Sequence, residues 1–262
     1  MKTSEPLSTS SLNAAYRKQP AALQTEIQDV LSPLMKKNQL YDDLKRQILT
    51  MELAPGSSLD ETQLSEQYQI SRTPLRDVFR RLAGEGYLEI VNNRGTSVAS
   101  MDHNTLRNFF MSAPMLYAAI GRLAAENATM KQLDAMRDAQ SEFRRAAAAG
   151  QTDGLIYWND QFHALMGEMA ANPYLMPSYE RLLIDHARIS QTFYSSRIQN
   201  FEDVLAEAVG HHDEMIVAIE NADASRMVAL IKAHWALSHR QMEIFVRPDP
   251  LPVDEYELTE GY

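Results

Sequence analysis

From about residue 104 to 246, apolar residues recur every three or four positions, with no convincing alternation for strands. Ala, Leu, Met, Glu and Arg dominate there, and most of these are strong helix formers. The pattern predicts helices over about 104–127, 130–149, 152–170, 173–195, 201–220 and 224–246. Breaks fall at Asn127-Ala128-Thr129, Gly150, Asn172-Pro173 and Asn221-Ala222-Asp223. Pro114, inside the first of these, removes an N–H and is expected to kink or split it. Such a series folds as an all-α bundle. Nearer the start, Leu40, Leu44, Ile48 and Met51 share helical spacing over about 35–51, and Ala54-Pro55-Gly56 ends that helix. A helix can also form over 21–30. Residues 1–34 read as a mobile extension, since their first twenty are Ser/Thr-rich without periodicity. After Pro248, Pro250 and Pro252 the chain ends in an acidic tail, 247–262.

Between these regions, residues 35–100 carry a different pattern. Asp60 followed by Gln63 is a capping-box spacing, so a short helix opens there and turns Leu64 and Tyr68 inward. It ends near Gln69-Ile70. Ser71 is a good N-cap for a second helix, with Pro74 in the first turn, where a missing N–H is harmless. That second helix has two faces. Leu75, Val78, Phe79 and Leu82 lie on one side, while Arg72, Arg76 and Arg80 form an i, i+4, i+8 row on another beside Thr73. A row of guanidiniums on a helix held by its apolar side suits a major-groove reader, because arginine donates two hydrogen bonds to guanine. Two β-prone runs follow, 88–91 and 96–99, joined by Asn92-Asn93-Arg94-Gly95, which reads as a hairpin wing with Arg94 at its tip.

The run from Leu40 to Ser100 resembles the winged-helix domain of GntR-family bacterial transcription regulators. The resemblance rests on APG at 54–56, SRTPLRDVFRRLAGEGYL at 71–88 and NRGTSV at 93–98. It implies that Ser71, Arg72, Thr73, Arg76 and Gly95 contact operator DNA; Arg80 and Arg94 join that set from the pattern itself. One position departs: some relatives carry an arginine where this chain has Thr62.

Composition changes the picture in two ways. The 262 residues contain no cysteine, which removes disulfides and thiolate metal sites and suits a reducing cytosol. The N-terminus has no apolar signal-like core and no stretch approaches a membrane span, so a cytoplasmic protein without a membrane partner is expected. The net charge of −10 is concentrated late: residues 101–262 hold 13 Lys/Arg against 23 Asp/Glu, whereas 40–100 hold 7 against 9. Nonspecific affinity for DNA should therefore be modest and salt-sensitive, with binding dependent on paired half-sites.

Seven histidines are present, and helical position sorts them. His163, one turn after Asn159, lies at the edge of the face formed by Leu155, Phe162 and Met166. His186 falls with Leu182, Ile189 and Phe193, and His212 with Leu205, Val209, Ile216 and Ile219. His234 lies with Met227, Leu230 and Ile231, and Ser238 is one turn further along that face. His211 and His239 turn away. A single core histidine is ordinarily satisfied by a neighbouring group; several inward imidazoles can be satisfied together by a metal.

Residues 104–246 resemble the FCD ligand-binding domain of the FadR subfamily, a helical bundle. The pattern appears as NDQFH at 159–163, HDEMIVAI at 212–219 and a final His234. Many relatives hold zinc, nickel or manganese through an aspartate and three histidines, and the matching positions are Asn159, His163, His212 and His234. Two features depart from the relatives. The aspartate position is Asn159, and Ala113 and Tyr117 stand where relatives often carry an arginine and a glutamate. The resemblance implies a mainly α protein: a winged helix-turn-helix followed by an FCD-like all-α bundle, acting as a homodimeric, ligand-responsive regulator on a two-fold operator. With arginine absent, a small carboxylate effector coordinating the ion is expected, with Tyr117, Ala113, His186 and Ser238 around it. A metal-free effector pocket, or an enzyme using the Asn/His₃ centre, are the alternatives.

Overall fold

The computed structural model describes the backbone of residues 21–91, 95–194 and 200–246, with side chains described over 33–237 outside the two gaps. Residues 1–20 of the expected extension and the tail 247–262 lie outside the described residues. Two compact units form: one gathers residues up to Ile48 and Glu52–Ala99, the other Leu49–Met51 and the chain from Ser100 on.

In the first unit, α1 (Ala21–Leu49) joins the two expected N-terminal helices into one, running through Pro33. Pro33 is exposed, so its ring meets water instead of core. Met51, with φ of 62°, turns the chain out of the helical path just after Leu49. The helix buries Leu40, Leu44 and Ile48, as their spacing predicts. β1 (Ser58–Leu59) follows, then α2 (Glu61–Tyr68), α3 (Arg72–Glu85) and the hairpin strands β2 (Leu88–Val91) and β3 (Gly95–Val98). Asp60 caps α2 by accepting from the backbone N–H groups of Thr62 at 2.7 Å and Gln63 at 3.0 Å. Gln69 ends it in the left-handed region. The sheet order is β1-β3-β2, all antiparallel. The two-residue β1 is too short to show a periodicity and was not legible in the sequence. Leu75, Val78, Phe79 and Leu82 of α3 pack inward with Leu88 and Val98 of the wing, so one apolar stripe fixes the whole module.

The second unit is a bundle of α4 (His103–Asn127), α5 (Met130–Ala149), α6 (Thr152–Ala170), α7 (Met176–Phe193), α8 (Phe201–Glu220) and α9 (Ala224–Val246). Its punctuation is chemical. Asp102 caps α4 through the Thr105 N–H, and Thr129 and Gln132 form a complete capping box on α5. Gly150 closes α5 at φ 64°, where a side chain would be strained. α4 runs as one helix through Pro114, so of the two outcomes expected there the split does not occur. One boundary needs correction. α7 starts at Met176 rather than 173, because the Asn172 side chain accepts from the N–H groups of Tyr174 and Leu175 and holds an Asx turn; Pro177 then occupies the first turn.

The core is built from Phe109, Ile120, Phe162, Met166, Met215, Met227 and Ile231, among others. Gly167 permits a close approach between two of the helices. A Cβ there would lie 2.7 Å from the Tyr179 ring, so the missing side chain lets Tyr179 lie against α6 and donate its hydroxyl to the His163 carbonyl at 2.9 Å. Among the described residues, no helix is long and apolar enough to cross a membrane.

Candidate functional site

In the first unit, the expected DNA-facing residues share one exposed surface. Ser71, Arg72, Thr73, Arg76 and Arg80 are all exposed on α3, and Gly95 opens β3 with φ of 83°. Arg94, at the expected wing tip, lies outside the described residues. Ser71 occupies the N-cap position with extended backbone, but its side chain makes no cap hydrogen bond, contrary to the ordinary role of a serine there. Arg76 donates from Nε to Glu61 of α2 at 3.1 Å, and Arg80 lies 3.5 Å from Asp77. Glu61, Arg76, Arg80, Ile90, Val91, Gly95 and Thr96 line one open groove between α3 and the wing. Arg81 is turned elsewhere, over the Tyr41 ring at 3.8 Å.

In the second unit, three histidines from three helices converge. One ring nitrogen from each of His163 on α6, His212 on α8 and His234 on α9 lies within 4.8 Å of the others. All three residues are buried. Both nitrogens of His163, Nε2 of His212 and Nδ1 of His234 are buried without a hydrogen-bond partner. Leaving several polar atoms unpaired in a core costs on the order of 1–3 kcal/mol each, so such atoms call for a ligand.

The environment keeps these rings neutral. Burial pushes His163 and His212 well below the ordinary imidazole range, with the neighbouring histidines adding to the shift. Burial lowers His234 to about 3, His211 and His186 contributing further, and burial alone lowers His186 to about 4. A neutral imidazole keeps the lone pair that a metal requires. Three such rings, each offering one lone-pair nitrogen, fit a divalent ion of the zinc, nickel or manganese kind. Ring packing fixes the cluster: His212 stacks on Phe162 with centroids 4.0 Å apart and planes at 5°, and lies 4.8 Å from His234. His163 and His186 are 4.7 Å apart.

Asn159, one turn before His163, is buried, and its Oδ1 accepts from the Tyr194 hydroxyl at 3.1 Å. With Phe109, Phe110, His186, His234 and Trp235 it lines a cavity of about 10 Å³, room for roughly one water. Tyr117 is fully buried and its hydroxyl lies 3.0 Å from His186 Nδ1; Ala113 is buried one turn earlier on α4. The side chain of Ser238 lies outside the described residues. His211, expected to turn away from the apolar face of its own helix, is half-buried: its Nδ1 is enclosed and its ring lies 5.8 Å from His234. The second unit's helices close over that edge as well, which a single helical wheel does not show. Sequence reasoning also missed Gln140, Tyr179 and Tyr194. Gln140 alone carried a signal, as a polar residue inside the Leu133, Met136, Phe143 stripe of α5.

Comparison with known proteins bears on this geometry. Residues 36–98 match the model described as bacterial regulatory proteins of the gntR family, and residues 115–237 match the FCD domain. The two matches together take in most of the chain. The chain belongs to the GntR family. The transcriptional repressor RspR of Escherichia coli K12 is 30% identical over 145 residues, which span 55% of this chain and 64% of that protein. A regulator from Bacillus subtilis, YdhC, is 26% identical over 202 residues, 75% of this chain and 86% of its own. The solved structure of E. coli McbR/YncC superposes with a TM-score of 0.64 at 21% identity, covering 79% of this chain and 98% of its own. That likeness establishes the fold: a GntR winged helix-turn-helix with an FCD bundle. The family and these relatives are transcription regulators, which removes the ground for the enzyme reading.

Proposed function

We propose that this GntR-family protein is a homodimeric transcription repressor that binds a two-fold operator through α3 and its wing, and holds a divalent ion in its FCD bundle. A small carboxylate reaching that ion is the proposed effector. The observation that supports the metal reading is the set of buried, partnerless nitrogens on His163, His212 and His234. The DNA reading is supported by the exposed arginines of α3, with RspR, a repressor by name, among the relatives. One winged module covers little DNA, so two half-sites on a dimer supply the affinity.

The ion would bring positive charge to a site lined by neutral rings. Three neutral imidazoles and an asparagine leave it close to its full charge of about +2, where an aspartate would halve that. An incoming carboxylate gains correspondingly. The cavity beside His186 and His234 is too small for one, so Phe109, Phe110 and Trp235 must move apart as it enters. That displacement, starting in α4 and α9, is the proposed start of the response.

Two measurements check this reading. Arg72→Ala or Arg76→Ala should weaken binding to a selected operator by about 1–3 kcal/mol per half-site, the range for a lost bidentate base contact. The fold should be unchanged, since both side chains are exposed. Equal operator binding by wild type and the double variant would refute the assignment of α3. Separately, Asn159→Asp should tighten zinc binding and weaken binding of small carboxylates, measured by calorimetry on the loaded protein. A variant that binds the carboxylate as tightly as wild type would refute the charge argument.

A further inference from the structure

Gln140 stands on α5, which supplies none of the three converging imidazoles, yet it touches the centre. Its side chain is buried, and its amide nitrogen donates to two acceptors: the Val209 carbonyl at 3.1 Å and the Asp213 carboxylate at 2.9 Å. A backbone carbonyl only accepts, so these bonds fix which end of the amide carries the nitrogen. The amide oxygen is left facing His212 Nδ1 at 3.1 Å, and an oxygen there accepts. The proton of His212 therefore sits on Nδ1. Nε2 keeps its lone pair, is buried and has no hydrogen-bond partner. Asp213 is itself bound at the surface by Arg144, so a chain of bonds runs from a surface arginine to the buried ring.

We infer that Gln140 is a positioning residue for the proposed ion: it selects the tautomer of His212 that presents Nε2 to the metal and holds the ring in line with it. Phe162 and Phe143 fix the plane of that ring by stacking and tilted contact, but neither can choose which nitrogen is protonated. The amide does. Metal-bound histidines commonly need such a partner on the remote nitrogen. A neutral amide supplies it here without adding a negative charge of its own, in keeping with the uncharged Asn159 one turn before His163. This inference rests on the metal reading proposed for the bundle.

The test uses the full-length protein and zinc as the probe. In metal-free wild type, ¹⁵N spectra of the His212 ring should show the Nδ1–H form. Gln140→Met, similar in length but without an acceptor, should lose that preference and bind zinc roughly 10- to 100-fold more weakly. Gln140→Glu keeps an acceptor oxygen and should retain the Nδ1–H form, and with it zinc affinity well above that of the methionine variant. A purely packing role predicts the opposite ranking, since methionine fills the core and a carboxylate beside Asp213 does not. An Nε2–H form in wild type overturns the inference without any variant, so a misfolded substitution cannot shelter it. Zinc bound equally by wild type and Gln140→Met overturns the positioning role while leaving the metal reading intact. No zinc bound by wild type overturns both.

Discussion

His212→Ala/His234→Ala should abolish stoichiometric metal binding, and elemental analysis of protein purified without chelator should show it. Wild type is expected to retain close to one divalent ion per chain. Two of the three converging nitrogens vanish in the variant, and His163 alone offers no chelate. His186 is the nearest substitute, 4.7 Å from His163 by ring centroid, but its Nδ1 is engaged with the Tyr117 hydroxyl. The loss should also appear as stability. An ion held at one hundred times its dissociation constant stabilises the native state by about 2.7 kcal/mol, which the variant and a chelated wild type forgo alike. Undiminished metal in the double variant would refute the site, and so would metal-free wild type.

The second large effect is a loss of stability in mild acid. His186 and His234 are held at about 4 and about 3 in the folded protein, chiefly by burial, against about 6.5 in an unfolded chain. Between those values the unfolded chain binds more protons, so stability is fully present above about pH 6.5 and falls as pH drops toward the folded values. Lowering pH from 7 to 5 should cost on the order of 2 kcal/mol for each such ring, and His163 and His212 are shifted in the same direction. Urea midpoints of the metal-free protein at the two pH values give the measurement. A flat profile would mean that the four rings are not held neutral by burial. With metal present the same protons compete for the ligand lone pairs, so acid should also release the ion.

Helix positions were the most legible part of the chain. Five of the six expected bundle helices match the structure within about a residue, because caps and left-handed breaks such as Thr129 and Gly150 mark the ends locally. The exception, α7, was displaced by an Asx turn at Asn172, where Pro173 gave the stronger local signal. The inward faces of His163, His186, His212 and His234 followed from periodicity, and the structure buries all four. Their convergence did not follow, because the distance between helices is set by packing and leaves no period in the sequence. The same limit hid Tyr194 on Asn159 and Gln140 on His212, both bonds between residues far apart in the chain. His211 shows the same limit from the other side. Its wheel position faces away from the helix's own apolar stripe, yet a second helix covers it.

The three imidazoles also lie far apart along the chain, His163 to His212 by 49 positions and His212 to His234 by 22. An ion joining them would act as a removable cross-link, closing two long loops in a protein that has no cysteine to close them covalently. Its contribution would fall on the native state, because three ligands so far apart in sequence meet only in the folded bundle and the ion leaves as the chain unfolds. A cell that withdraws the metal would then loosen the packing of α6, α8 and α9 together, and metal supply would set how long each copy of the protein survives proteolysis.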